Sequence, residues 1–173
     1  HGVYLIPVDL AFLYTNTDPY TGDERPYSGW FGYTTSGVAY NTTEKRVKRY
    51  MEFLATDPQF RIDTTRMYIS GASMGGGGAL HFAYHYPRLF AAAEASIGWV
   101  NPLAWGTGYW EWNIGPRTTV RPVNSSTGPN WWNWQDMSWL MNSGPAFLPP
   151  VVHTFRKDDE VIDESAYDDL LQH

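Results

Sequence analysis

Apolar and polar residues follow two rhythms along this chain, and the changes between them mark its elements. Residues 3–8 (Val-Tyr-Leu-Ile-Pro-Val) form a short apolar, β-branched run, the pattern of a strand buried on both faces. Pro7 belongs at its end, because proline donates nothing to a ladder. Residues 15–37 are rich in Asn, Asp, Thr, Gly, Pro and Tyr, which predicts loop. Asn41-Thr42-Thr43-Glu44 offers a helix start, a capping residue with an acid in the first turn. Val47, Tyr50, Met51 and Leu54 follow at helical spacing, so the helix should run to about Ala55, stopped by Thr56-Asp57-Pro58. A strand is expected over 66–70, a sharp turn over 71–75, and a helix from there to Tyr86, where Pro87 breaks it. Residues 90–96 read as a further strand, small and apolar except for Glu94. Residues 99–148 carry Gly, Pro, Asn and Trp with little periodicity; 151–155 is a strand and 164–171 a helix.

Strands alternating with helices predict an α/β fold with a parallel sheet and helices on both faces. Three stretches result: a core over 1–98, an insertion over 99–148, and a core strand and helix over 149–173. No internal repeat or linker interrupts them.

At 173 residues the chain is long enough for one core and short for two domains. No stretch reaches the roughly 18 uninterrupted apolar residues of a membrane span, so no membrane partner is expected. The net charge of −6 weighs against nucleic acid, since the basic cluster Lys45-Arg46-Val47-Lys48-Arg49 reads as a solvated helix face. The absence of cysteine removes thiolate nucleophiles, disulfides and zinc–thiolate sites. No basic n-region with an apolar run opens this stretch, so it shows no signal peptide; a secreted or periplasmic location is nonetheless the expectation. Tryptophan is unevenly spread. Trp30 lies early, whereas Trp99, Trp105, Trp110, Trp112, Trp131, Trp132, Trp134 and Trp139 all fall between 99 and 139.

Gly71-Ala72-Ser73-Met74-Gly75 fits G-x-S-x-G, and it stands between an expected strand and an expected helix, the setting that motif requires. A serine on such a turn projects its oxygen above the sheet edge. Glycines at 71 and 75 are expected to let strand and helix approach. The helix aims its positive end at the serine, and the Met74 N–H is the expected oxyanion donor. The alternative is a glycine-rich turn whose serine merely caps the helix. Against it stand Gly75-Gly76-Gly77-Gly78, a run costing about 1 kcal/mol each relative to alanine in a helix.

The segment 62–76 (Ile-Asp-Thr-Thr-Arg-Met-Tyr-Ile-Ser-Gly-Ala-Ser-Met-Gly-Gly), continuing through Tyr86-Pro87 and Phe90-Ala91-Ala92-Ala93, resembles the nucleophile region of α/β-hydrolase serine esterases. The feruloyl-esterase, polyhydroxybutyrate-depolymerase and prolyl-oligopeptidase-like branches are the most similar. The resemblance implies a carboxylic-ester hydrolase with Ser73 as nucleophile and no metal or organic cofactor. Its substrate would be a small-molecule or polysaccharide-linked ester. A peptidase of the prolyl-oligopeptidase type, or a non-catalytic carbohydrate-binding relic, are the alternatives.

In that family the acid follows the serine and the histidine follows the acid. The resemblance places the acid at Asp159, within Arg156-Lys157-Asp158-Asp159-Glu160, with Asp158 as runner-up and a solvated acidic loop as the plain reading. Only His173 follows Asp159, too closely for a helix and a returning strand. His81 and His85, four apart in a helix, suggest a metal pair by spacing but lack the H-E-x-x-H acid. They read as one packed and one surface histidine, and His153 reads as core. The strand that carries the family's second oxyanion donor should precede residue 3. The expectation is therefore an internal piece of a longer hydrolase, without its first strands and its catalytic histidine. Exposed sheet edges would then favour self-association.

The insertion at 99–148 occupies the family's lid position. Its tryptophans either roof the serine and stack on sugars, or fill a small core where Leu and Ile are scarce. Trp99, just past the strand end, is the candidate substrate contact. The loop from Asp18 to Glu24 lacks the alternating acids of a calcium site. The triplets at Asn41 and Asn124 match the glycosylation sequon.

Overall fold

A computed structural model of the chain describes residues 15–17, 24–26, 33–102, 116–143 and 147–155. The expected strand at 3–8 and helix at 164–171 lie outside these residues.

The region expected to be loop instead contains short antiparallel pairs. β1 (Thr15–Thr17) pairs with β2 (Glu24–Pro26), and β3 (Tyr33–Thr35) with β4 (Val38–Tyr40). Ser36 and Gly37 join the second pair with φ of 49° and 77°. Two successive positive φ values match the right-handed twist of the flanking strands. β4 is tied to the later chain, where the Ala39 N–H donates to the Pro122 carbonyl at 2.9 Å and Asn124 N–H to the Ala39 carbonyl at 2.8 Å.

α1 (Thr42–Thr56) forms where the periodicity places it. Its inner face buries Thr43, Glu44 and Val47, while Tyr50 and Phe53 stay more than half exposed. A single 3-10 turn at Thr64–Arg66 leads into β5 (Tyr68–Ala72), followed by α2 (Met74–His85) and β6 (Ala92–Ser96). Among the described residues of the Trp-rich stretch lie two helices the periodicity does not show, α3 (Trp131–Trp134) and α4 (Met137–Ser143). Asp136 caps the second, its Oδ1 accepting from the Ser138 N–H at 2.9 Å and the Trp139 N–H at 3.3 Å. β7 (Val151–Thr154) closes the described chain.

β5, β6 and β7 form one parallel sheet in that order. α2 packs on the face that presents Ala93 and Ala95, both buried. The core grows outward from there through Leu80, Phe82, Ala83, Trp99, Val100, Trp131, Met137 and Leu140. On the opposite face Tyr68, Ser70 and Ala72 of β5, Glu94 of β6, and Val152 and Thr154 of β7 are exposed. This explains Glu94, the one charge in an otherwise small apolar strand: it stands on the uncovered side.

Candidate active site

Ser73 occupies the single residue between β5 and α2, with φ 52° and ψ −120°. An L-residue reaches positive φ only at a cost, of order 1–3 kcal/mol at a strained site. The turn is held on both sides. The Ser73 N–H donates to the Ser96 carbonyl at 2.8 Å, and the Ser73 carbonyl accepts the Gly77 N–H at 3.0 Å. The side chain makes no capping hydrogen bond, and the residue is exposed. The plain reading of Ser73 as a helix cap therefore fails. Met74 stands at the first position of α2.

The glycines divide by function. A Cβ at Gly71 would fall on the carbonyl of Gly75, so strand and helix do touch there. At Gly76 it would come within 2.7 Å of the Ser96 carbonyl oxygen, and at Gly77 it would enter the Trp99 indole. At Gly75 it would meet nothing within 4 Å. The expected crowding at 75 is thus a property of its carbonyl and not of its Cα.

Trp99, expected as a substrate contact, is 4% exposed. Its ring lies 4.1 Å from the His81 ring, centroid to centroid, and against Gly77, leaving almost no surface for a ligand. The expectation gives way to packing beneath the first turn of α2. Trp131 and Trp132 are buried too, and Trp134 and Trp139 pack on the core half-buried. For these five the tryptophans fill a core. Trp30, Trp105, Trp110, Trp112, Asp158, Asp159 and His173 lie outside the described residues, as does most of the loop from Asp18.

The three described histidines are all engaged elsewhere. His81 is buried, with Nδ1 2.6 Å from the Gly77 carbonyl and Nε2 3.0 Å from that of Gln135. Burial first, then the neighbouring His85, pushes its pKa down to about 4, so the ring is neutral at pH 7. His85, expected at the surface, has a fully buried side chain. Its Nδ1 lies 2.9 Å from Glu44 Oε1, and its Nε2 donates to the Trp134 carbonyl at 2.8 Å. The ring stacks on Trp134 at 4.3 Å, and Glu44 also accepts from Asn41 Nδ2 at 3.0 Å. The correction has a simple cause: α1 covers that side of α2 with an acid, a contact that the local periodicity of α2 does not contain. His153 is half-buried and donates through Nε2 to the Gly98 carbonyl at 3.1 Å, and burial lowers its pKa. Among the described residues no imidazole hydrogen-bonds to the Ser73 hydroxyl, and no group of three or more His, Asp or Glu could hold a metal. Both sequon asparagines serve the fold, since Asn41 is 3% exposed and Asn124 Oδ1 accepts from the Asn41 N–H and from Lys45 Nζ.

Comparison with known proteins agrees with this geometry. Residues 19–164 match the family model described as "Putative esterase". A curated relative, the diacylglycerol acyltransferase/mycolyltransferase Ag85C of Mycobacterium avium, is 28% identical over 144 residues, covering 78% of this chain and 37% of its own length. An S-formylglutathione hydrolase from Agrobacterium tumefaciens superposes with a TM-score of 0.53 at 23% identity, over 73% of this chain and 44% of the other. The Staphylococcus aureus fluorophosphonate-binding serine hydrolase FphF superposes with a TM-score of 0.54 at 20% identity, over 86% and 54%. This chain thus spans about half or less of the length of each. With an exposed serine on a strained strand-to-helix turn over a parallel sheet, the chain belongs to the esterase family and has the α/β-hydrolase fold.

Proposed function

We propose that this chain carries the nucleophile of a serine carboxylic-ester hydrolase that works through an acyl-enzyme on Ser73. The observation that supports this most is the backbone of Ser73: positive φ, exposed, uncapped, at the start of a 12-residue helix. The hydroxyl gives its proton to an imidazole and its oxygen attacks the ester carbonyl. The resulting oxyanion takes a hydrogen bond from the Met74 N–H, where charge develops. The alcohol departs, the acyl group stays on Ser73, and water releases it. Asp159 is the carboxylate proposed to orient the imidazole. None of His81, His85 and His153 is assigned as that base, since each ring already serves a carbonyl or carboxylate.

A carbohydrate-borne ester is the narrower reading, supported by the acidic charge and by the density of tryptophan over 99–148. The acyltransferase name of the Mycobacterium avium relative suggests a second acceptor, because an acyl-serine can be passed to an alcohol as well as to water. The test is a fluorophosphonate probe on the full-length protein at neutral pH, with turnover of a p-nitrophenyl ester and of a proline-anilide peptide. Labelling at Ser73 and ester turnover are expected, with Ser73→Ala removing the adduct and lowering turnover by roughly 10³-fold or more. No adduct on Ser73 rules the proposal out; turnover of the anilide alone replaces the esterase with a peptidase.

A further inference from the structure

Two left-handed residues stand side by side at the carboxyl end of the sheet. The register pairs Ala72 with Ser96, so the next residues, Ser73 and Ile97, are neighbours across the β5–β6 seam. Ser73 has φ 52° and Ile97 has φ 46°. For a β-branched residue this region is a true outlier, which persists only where the surroundings impose it. Here they do. The Ile97 N–H donates to the Thr154 carbonyl at 2.6 Å, and the preceding Ser96 carbonyl is held by the Ser73 N–H. The following Gly98 is wedged against the backbone of Gly76 and Gly77, with no room for a Cβ.

Core packing among the described residues does not account for an isoleucine in this place. The residue is half-buried and, among the described residues, belongs neither to the hydrophobic core cluster nor to the shell packed on it. Glycine or asparagine would accept the backbone with less strain. A branched apolar side chain is thus held, against its conformational preference, one register position from the candidate nucleophile. Strain of this kind gathers where a site needs a group in a fixed place.

We propose that Ile97 is a specificity-determining residue that lies against the acyl group of the substrate. The inference rests on Ser73 being the nucleophile, as proposed above. The acyl carbon is the part of the substrate that becomes bonded to the Ser73 oxygen, so the acyl chain starts beside Ile97 and stays there through both half-reactions. The alcohol leaves after the first. A hydrophobic wall of this sort discriminates by about tenfold or more per methylene or methyl it contacts.

The experiment compares wild-type, Ile97→Gly and Ile97→Val full-length protein on p-nitrophenyl acetate, butyrate and octanoate, and on a set of acetates with different alcohols. Fluorophosphonate labelling is followed in parallel. Expected are retained labelling of Ser73, a change of about tenfold or more in the octanoate-to-acetate ratio of kcat/KM for Ile97→Gly, and a smaller change in the same direction for Ile97→Val. Ratios across the alcohol series should stay within about twofold. If Ser73 still labels but the acyl ratio of both variants stays within about twofold of wild type, Ile97 has no such role while the hydrolase reading stands. If Ser73 fails to label in the wild-type protein, the hydrolase reading falls and takes this inference with it. Should Ile97→Gly not fold, the Val variant carries the same comparison.

Discussion

His81 holds both ring nitrogens against backbone carbonyls, one in its own helix and one at Gln135. A neutral imidazole has one N–H to offer the two, and protonation is opposed by burial, which sets the pKa to about 4 against 6.5 for an ordinary histidine. The unfolded chain therefore takes up a proton between pH 6.5 and 4 that the folded chain refuses. Stability is full above pH 6.5 and falls as pH drops towards 4, by roughly 3 kcal/mol at most. Thermal melts across that range should show the loss, and His81→Gln should flatten it, because glutamine does not titrate; an unchanged pH slope in the variant would assign the loss to other groups. Single residues differ in how far the sequence discloses them. Ser73 is legible because glycines, a strand and a helix all surround it. Ile97 is not, since nothing in a side chain's identity announces an imposed backbone. Glu44 reads as a first-turn acid, and only the packing of two helices shows that it faces His85.

Among the elements, α1, β5 and α2 are legible within a residue or two, because period, cap and proline coincide at their ends. The pairs β1–β2 and β3–β4 are not, since three-residue strands carry no alternation to detect. The local signal that could have marked one of them is Ser36-Gly37, a two-residue hairpin sequence. α4 has a readable cap in Asp136, obscured by tryptophans whose order follows no period. The first turn of α2 yields a sharp contrast. Gly75→Ala meets empty space and should stabilise by about 0.5–1 kcal/mol through helix propensity. Gly77→Ala meets the Trp99 ring and should cost about 1–3 kcal/mol by overpacking. Chemical denaturation of the two variants measures this; equal effects would mean that Trp99 moves aside freely.

Across the whole molecule, one buried pair joins three parts of the chain. Glu44 belongs to α1, His85 to α2, and the carbonyl that His85 also holds is Trp134, in the Trp-rich stretch. Removing one partner leaves a polar atom of the other buried without a hydrogen bond, so Glu44→Leu should destabilise by about 1–3 kcal/mol. Replacing both, as Glu44→Leu with His85→Phe, should recover a large part of that. Urea titration of the three proteins gives the coupling, and additive losses would show that the pair contributes no joint stability. The α/β class and parallel sheet follow from the order of elements, and are legible for that reason. What joins α1 to α2 to residue 134 is long-range, and no window along the chain contains it. The hydrogen bond from the Ile97 N–H to the Thr154 carbonyl carries a consequence in time. A ribosome delivers the amino-terminal part first, so the serine turn can form while its neighbouring rim is still unfastened. The sheet rim beside Ser73 is fastened only when β7 has emerged and docked, so a half-made chain holds the serine turn before its neighbour at Ile97 is fixed.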